Sequence, residues 1–528
     1  MKLITLLLVA YFLKQLVWLS IIPMWHFPDE EQHFGQVAFL AEKNRLPRGS
    51  DLDINKEIDV SSEILGTKRS KLGINKFTYH PEYRIPYSKN DIGLYEDKII
   101  NLNTDENRQT MVKAEAARYG PVYYYLATFF YKVFYQHNLL VRVFSSRFIS
   151  VLLSTFTVYF VYLIAKLIFK KQVFRLTLTF LVAFQPMFSF ISSGINSDNI
   201  FNLIFTLILY FCLKIFFNRP SEVQSSNINR LFKWFFLVLV LMAGYYTKKQ
   251  IYIACPIILL AMVMSFMVKT IKINKKNIFI ASLVILIISL LFIFKIRIPE
   301  FNSHQAPQAS ETFWQYIYWH LKHTIAETIP WYWGVFNWLG VTLPRWVNRV
   351  QSRILVISAV GFIMFFIKQI KRKKFNSLNN FKIFFLLVAA AIYYVSIISW
   401  DYLFRTTHSF SFGIQGRYFF PTIVSHMLFI LLGILALIPA KFKYFKIIIA
   451  KILVLWWLVF SFIGLKTALN SYYQLWPFKV FLNQVSQYKP ILFKSPGIGI
   501  IIIFYIFSLL IFTFKFLKLN EAKTKAVN

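Results

Sequence analysis

The chain has 528 residues, of which 57% are hydrophobic, 19% aromatic and only 16% charged, so it is too apolar to present a soluble surface of this size. Its formal net charge of +36 comes from Lys and Arg set singly or in short clusters between apolar runs, which excludes the continuous basic face that a nucleic-acid partner needs. Cys212 and Cys255 both lie in apolar stretches, so neither a disulfide framework nor a cysteine metal site is indicated.

Met1 to Pro23 places Lys2 before an apolar run. Lys14 within that run and the lack of an A-x-A site favour an uncleaved first membrane span over a signal peptide. Residues 24–118 then form a polar loop too long for a connector, which would be carried outside and hold interfacial helices. Acidic residues concentrate there: 16 of the 23 Asp and Glu precede Ala116.

Apolar runs then recur, giving expected spans at 140–168, 173–192, 199–217, 232–247, 249–268, 277–296, 352–368, 381–400, 416–437, 446–468 and 498–517. Together with the first span they predict an all-α, polytopic transmembrane helical bundle of about 12–13 spans with a long extracytoplasmic first loop. The expected divisions are 1–23, 24–118, a bundle over 119–295, an outer loop over 296–350 and a C-terminal bundle over 351–528. Placing the Lys166 to Arg175, Lys269 to Lys276, Lys368 to Lys374 and Lys441 to Lys446 clusters in the cytoplasm threads these spans consistently through a bacterial plasma membrane. Tyr119 to Gln136 is left over by that parity, and its tyrosines suit an interfacial helix.

The threading gathers several polar groups on the outer face. Pro28, Asp29, Glu30, Glu31 and His33 follow the first span; Pro28 suits a helix start, and Asp29 and His33 share a helical face. A carboxylate held there either caps the helix or takes a proton from an attacking hydroxyl. Asn196, Asp198, Asn199 and Asn202 open a later span with more polar groups than capping requires. Lys248 and Lys249 lie outside, against the charge rule, which marks them for anion binding. Arg417 follows Asp401, Arg405 and His408 and either snorkels to the interface or forks onto phosphate oxygens. The aromatic run Trp331 to Trp338 fits an aromatic belt or a stacking surface for a sugar ring or isoprenoid chain. His320 and His323, three apart, with Glu327 are the candidate set for a divalent metal, and no other cofactor is indicated.

In order, Pro28-Asp29-Glu30 with His33, Tyr119-Gly120-Pro121-Val122-Tyr123-Tyr124, Asn196-Ser197-Asp198, Thr247-Lys248, Trp333-Gly334 and Gln415-Gly416-Arg417-Tyr418 resemble the GT-C class of polytopic glycosyltransferases. The likeness is to a bacterial family of predicted membrane proteins related to the protein mannosyltransferases and aminoarabinose transferases. It implies transfer of a sugar from a polyprenyl-phosphate donor to a hydroxyl of a glycan, lipid or protein acceptor on the extracytoplasmic face. By it Asp29 is the expected general base and Glu30 the second candidate, with His33, Asn196, Asp198, Lys248 and Arg417 contacting substrate. Arg118-Tyr119-Gly120 departs from the His-Pro of that pattern, and Glu31 has no assigned role. The rival expectations are a transporter or flippase for a lipid-linked or anionic substrate, which would show repeats and broken helices, and a non-catalytic scaffold.

Overall fold

The computed structural model describes residues 2–70, 73–88, 93–114, 116–217, 227–270, 313–371, 377–408, 411, 413–439 and 441–519. Helices dominate, as backbone groups in hydrocarbon must be satisfied within the segment. Among the described residues nine helices are long and apolar enough to cross a bilayer, so the protein is a multi-pass membrane protein.

Helix α1 (Leu3–Ile21) stops before Pro23, which cannot continue it, and packs between α4 (Leu139–Ile168) and the last helix, α15 (Ser495–Leu517). The loop after α1 holds α2 (Glu30–Lys43) and an antiparallel pair, β1 (Ile54–Asn55) with β2 (Met111–Val112). Helix α3 (Val122–Val133) lies against α2; its 12 residues reach about 18 Å, too short for a span. Tyr125, Phe129 and Val133 form its exposed apolar stripe, one turn apart. Thus the leftover segment is a short helix with one apolar face turned outward.

The expected span 173–192 is instead two helices, α5 (Gln172–Ala183) and α6 (Pro186–Ile191). Pro186 has no N–H for the ladder, and Gln185 caps the second piece through Phe188 N. Lys14 of α1, 1% exposed, satisfies the break by donating to Ala183 O and to Ser189 Oγ at 2.7 Å.

Helices α7 (Asp198–Phe216), α8 (Asn227–Tyr245) and α9 (Ala254–Thr270, entered by a turn over Lys249–Ile253) follow. The span expected at 277–296 lies outside the described residues. Strands β3 (Val335–Phe336) and β4 (Val341–Thr342) form a small hairpin before α10 (Arg345–Lys371) and α11 (Leu378–His408). A turn over Gly416–Thr422 leads into α12 (Ile423–Leu437), which packs on α10 and is followed by α13 (Lys443–Tyr472). Between α13 and α15 the chain makes α14 (Phe478–Ser486) and a short helical turn over Ile491–Phe493.

This order brings the C-termini of α1, α8, α11 and α13 and the N-termini of α4, α7, α12 and α15 to one end of the bundle. Lys166, Lys368, Lys443 and Lys515 sit at opposite helix ends, as the charge rule expects of one membrane face.

Candidate functional site

Asp29 precedes the first residue of α2 with φ of 59°, and its carboxylate makes no cap hydrogen bond. Oδ1 accepts instead from Arg69 Nη2 at 2.6 Å and Oδ2 from Arg417 Nη2 at 2.9 Å. Burial alone would raise this carboxyl, but the Arg417 and Arg69 guanidiniums outweigh it and hold it well below the usual carboxylate range. Arg69 also donates through Nε to Glu31 Oε1 at 2.6 Å. Burial, opposed by Arg69 and reinforced by the Asp29 charge, pushes Glu31 up to about 7.

Glu30 faces the other way. Its side chain is fully buried and takes Arg147 Nε at 2.7 Å, Arg147 Nη2 at 2.6 Å and Trp25 N at 3.0 Å. Arg147 also donates to Leu19 O, Ile22 O and Pro23 O, fastening α4 to the end of α1.

Arg417 arrives at Asp29 through a close backbone contact. A Cβ on Gly416 would sit 2.3 Å from Tyr332 N and Cα, so only glycine lets the turn lie against that segment. Gln185, at the break between α5 and α6, donates to Tyr332 O and so ties the same segment to the bundle. Arg417 Nε and Nη1 are buried without a hydrogen-bond partner.

Asp198 is the first residue of α7 and its carboxylate pairs with Lys248 Nζ. Asn196 braces this turn: Oδ1 accepts from Asp198 N at 2.8 Å while Nδ2 reaches Pro28 O at 3.4 Å. Lys248 also lies over the Tyr119 ring at 4.4 Å, and Tyr119 stacks on His33, whose Nδ1 shares a 2.7 Å hydrogen bond with Tyr124 Oη. Burial lowers His33 to about 3 despite the nearby Asp29 charge, so its ring is neutral.

Gly120, in the departing motif, lets α3 lie on the Lys248 turn: its N–H donates to Thr247 O at 3.1 Å, and a Cβ would fall 2.1 Å from Tyr246 O. Gly120→Ala is therefore expected to displace residues 246–248 and to lower stability by about 1–3 kcal/mol through overpacking. A thermal melt in detergent indistinguishable from wild type would contradict this.

Two cavities meet at Arg417. One, of about 300 Å³, is lined by His26, Asp29, Arg69, Tyr79, Trp338 and Gln415 among others; a cleft of about 20 Å³ holds Asp198, Lys248, Asn202 and Tyr418. A third, apolar cavity of about 440 Å³ lies between α10, α11 and α12, walled by Tyr332, Phe419, Phe362 and His426.

Among the expected site residues, Asp29, Asp198, Lys248 and Arg417 converge, with Asn196 and His33 behind them. Trp333 packs on Trp457 and Phe460 in the core. His323 pairs with Glu327 at 3.4 Å while His320 faces Tyr394 Oη at 3.3 Å, and among the described residues no cluster of three or more His, Cys, Asp or Glu is placed to hold a metal. Arg69 and Arg147 were not singled out in the sequence. An arginine inside the apolar 140–168 span was a signal for Arg147; Arg69 carried none.

The profile of a family described as "Predicted membrane protein (DUF2142)" matches residues 12–426. No curated protein matches the sequence. Solved structures with similar folds include ArnT from Cupriavidus metallidurans bound to undecaprenyl phosphate, at 14% identity and a TM-score of 0.41, covering 97% of this chain and 76% of that one. The archaeal oligosaccharyltransferase AglB from Archaeoglobus fulgidus, in complex with an inhibitory peptide and a dolichol-phosphate, is similar at 13% identity and a TM-score of 0.45. That match covers 88% of this chain, which spans only 56% of AglB.

Proposed function

The chain belongs to the DUF2142 family of predicted membrane proteins, and we propose that it transfers a sugar from a polyprenyl-phosphate carrier to an acceptor hydroxyl at the extracytoplasmic face of the membrane. The observation that carries this reading is the bridge at Arg417, which grips the Asp29 carboxylate with one nitrogen and leaves two others, Nε and Nη1, buried without a hydrogen-bond partner. Buried donors without partners are costly, and a phosphate oxygen pair is an acceptor that the guanidinium fork matches.

In this reading Arg417 and Lys248 hold the donor phosphate, and the apolar cavity behind Tyr332 and Phe419 receives part of the isoprenoid chain. The acceptor oxygen attacks the anomeric carbon, the bond from that carbon to the phosphate oxygen breaks, and the electron pair leaves on the lipid phosphate. The hydroxyl proton passes to Asp29. Two arginines make free Asp29 a weak base, and a bound phosphate drawing on Arg417 would return its carboxyl toward the ordinary range. Negative charge developing on the departing phosphate is met by cations already in place.

Arg417→Ala is expected to weaken binding of polyprenyl phosphate by about tenfold or more, since hydrogen bonds to charged groups contribute about 1.5–3 kcal/mol. Binding of the uncharged polyprenol should stay unchanged. Arg417→Lys should restore only part of the affinity because it keeps the charge and loses the fork. Equal binding of the phosphate lipid by wild type and Arg417→Ala would remove the phosphate from this position.

A transporter reading draws on one feature, the broken span over 172–191 with buried Lys14 beside it. The charged groups that line the two cavities at Arg417 lie at the helix ends rather than at that break.

A further inference from the structure

Eight residues other than glycine have left-handed backbone angles among the described residues, and most surround one cavity. Asp29, Tyr79, Trp338 and Leu339 line the 300 Å³ space beside the Asp29 carboxylate; Trp25 and Asn337 directly precede its lining residues His26 and Trp338. Asn337, Trp338 and Leu339 follow one another in the β3 to β4 turn, with φ of 48°, 52° and 65°. Such angles crowd Cβ against the backbone, and neither tryptophan nor leucine has the short polar side chain by which Asn or Asp offsets that locally. The surrounding fold must impose them, as happens at sites built to hold a ligand. Here Gly340 N closes the turn onto Asn337 O at 2.9 Å, and Tyr79 N donates to Trp338 O at 3.1 Å, so the two strained segments hold each other.

The strain positions particular groups. Trp338 lines the cavity with Arg69 over its ring at 4.8 Å, and its indole N–H is buried without a partner. His26, 2% exposed, also lines the cavity, and the Asn337 amide is the polar side chain beside its ring. Aromatic and aliphatic walls therefore alternate with buried polar atoms that a ligand would have to satisfy. A sugar ring has that composition, with C–H faces for the aromatic wall and hydroxyls for the Trp338 indole N–H and the polar groups beside it. An isoprenoid chain offers no polar partners, and a bare phosphate would leave the aromatic wall unused.

We propose that the cavity walled by Trp338 and Tyr79 is a carbohydrate subsite that seats a sugar ring beside Asp29, with Trp338 setting its affinity. The proposal rests on the transferase reading of the same site. The ring belongs either to the donor or to a glycan acceptor, which share this chemistry.

The test uses the full chain in lipid nanodiscs and measures binding of polyprenyl-phosphate-linked hexoses and pentoses, bare polyprenyl phosphate, and soluble oligosaccharides. Trp338→Ala should bind at least one sugar-bearing probe about tenfold more weakly, and Trp338→Phe should recover part of that loss, with bare polyprenyl phosphate bound as by wild type. Loss confined to the sugar-linked lipids assigns the ring to the donor; loss confined to the oligosaccharides assigns it to the acceptor. Equal binding of every sugar-bearing probe by wild type and both variants overturns the proposal, as does a wild type that binds no sugar-bearing probe. A wild type that binds oligosaccharides through Trp338 but no lipid phosphate keeps the subsite and sinks the lipid-phosphate donor instead. Unaltered melting of Trp338→Phe shows that the fold tolerates the change.

Discussion

Asp29→Asn should lower the rate of sugar transfer by about 10²–10⁴-fold while leaving binding of the lipid-phosphate donor within a few fold of wild type. Asparagine keeps one oxygen to accept from Arg69 or Arg417 and turns its NH2 to the other, so it has nearly the shape of the carboxylate and loses one of the two contacts. It cannot take up the acceptor proton. Loss of its negative charge also frees Arg417 for phosphate, so donor affinity should hold or rise. A rate assay under saturating donor separates the two effects, and an unchanged turnover number would exclude Asp29 as the base.

Glu30→Gln should behave in the opposite way, damaging the fold before the chemistry. The Glu30 carboxylate and Arg147 guanidinium are both fully buried, and Arg147 joins three backbone carbonyls at the end of α1 to α4. Neutralising one partner of such a pair leaves an uncompensated buried charge and costs about 3–5 kcal/mol. A marked fall in apparent melting temperature and in folded yield is expected for Glu30→Gln, against a smaller fall for Asp29→Asn, whose side chain is 31% exposed. A Glu30→Gln protein that melts like wild type and yet fails to transfer sugar would move the base from Asp29 to Glu30.

The two adjacent acids show what the sequence could and could not tell. Their membrane-edge position after the first span, and the expectation that Asp198, Lys248 and Arg417 share one membrane face with them, follow from hydropathy and the lysine clusters. Which acid faces a cavity did not follow, because that depends on the left-handed angle at Asp29, which turns its carboxylate toward Arg69 and Arg417. Arg69 is one base among many in a long polar loop, where no periodicity reports a partner 40 positions away. The strained turn at 337–339 was equally silent, since Asn337 alone among its three residues tolerates such angles well. By contrast, Pro186 is a visible break in the apolar run 173–192, where hydropathy alone predicts one span and the missing N–H divides it in two.

The most direct test reconstitutes the purified protein in liposomes with polyprenyl-phosphate sugars radiolabelled on the sugar, supplies a membrane extract as acceptor on the outer side, and follows both label and lipid. A transferase moves the label to the acceptor and releases polyprenyl phosphate in equal amount, with both products lost in Asp29→Asn. Intact donor crossing the bilayer, with no acceptor labelled and no free lipid phosphate, would contradict the transferase and establish a carrier in its place.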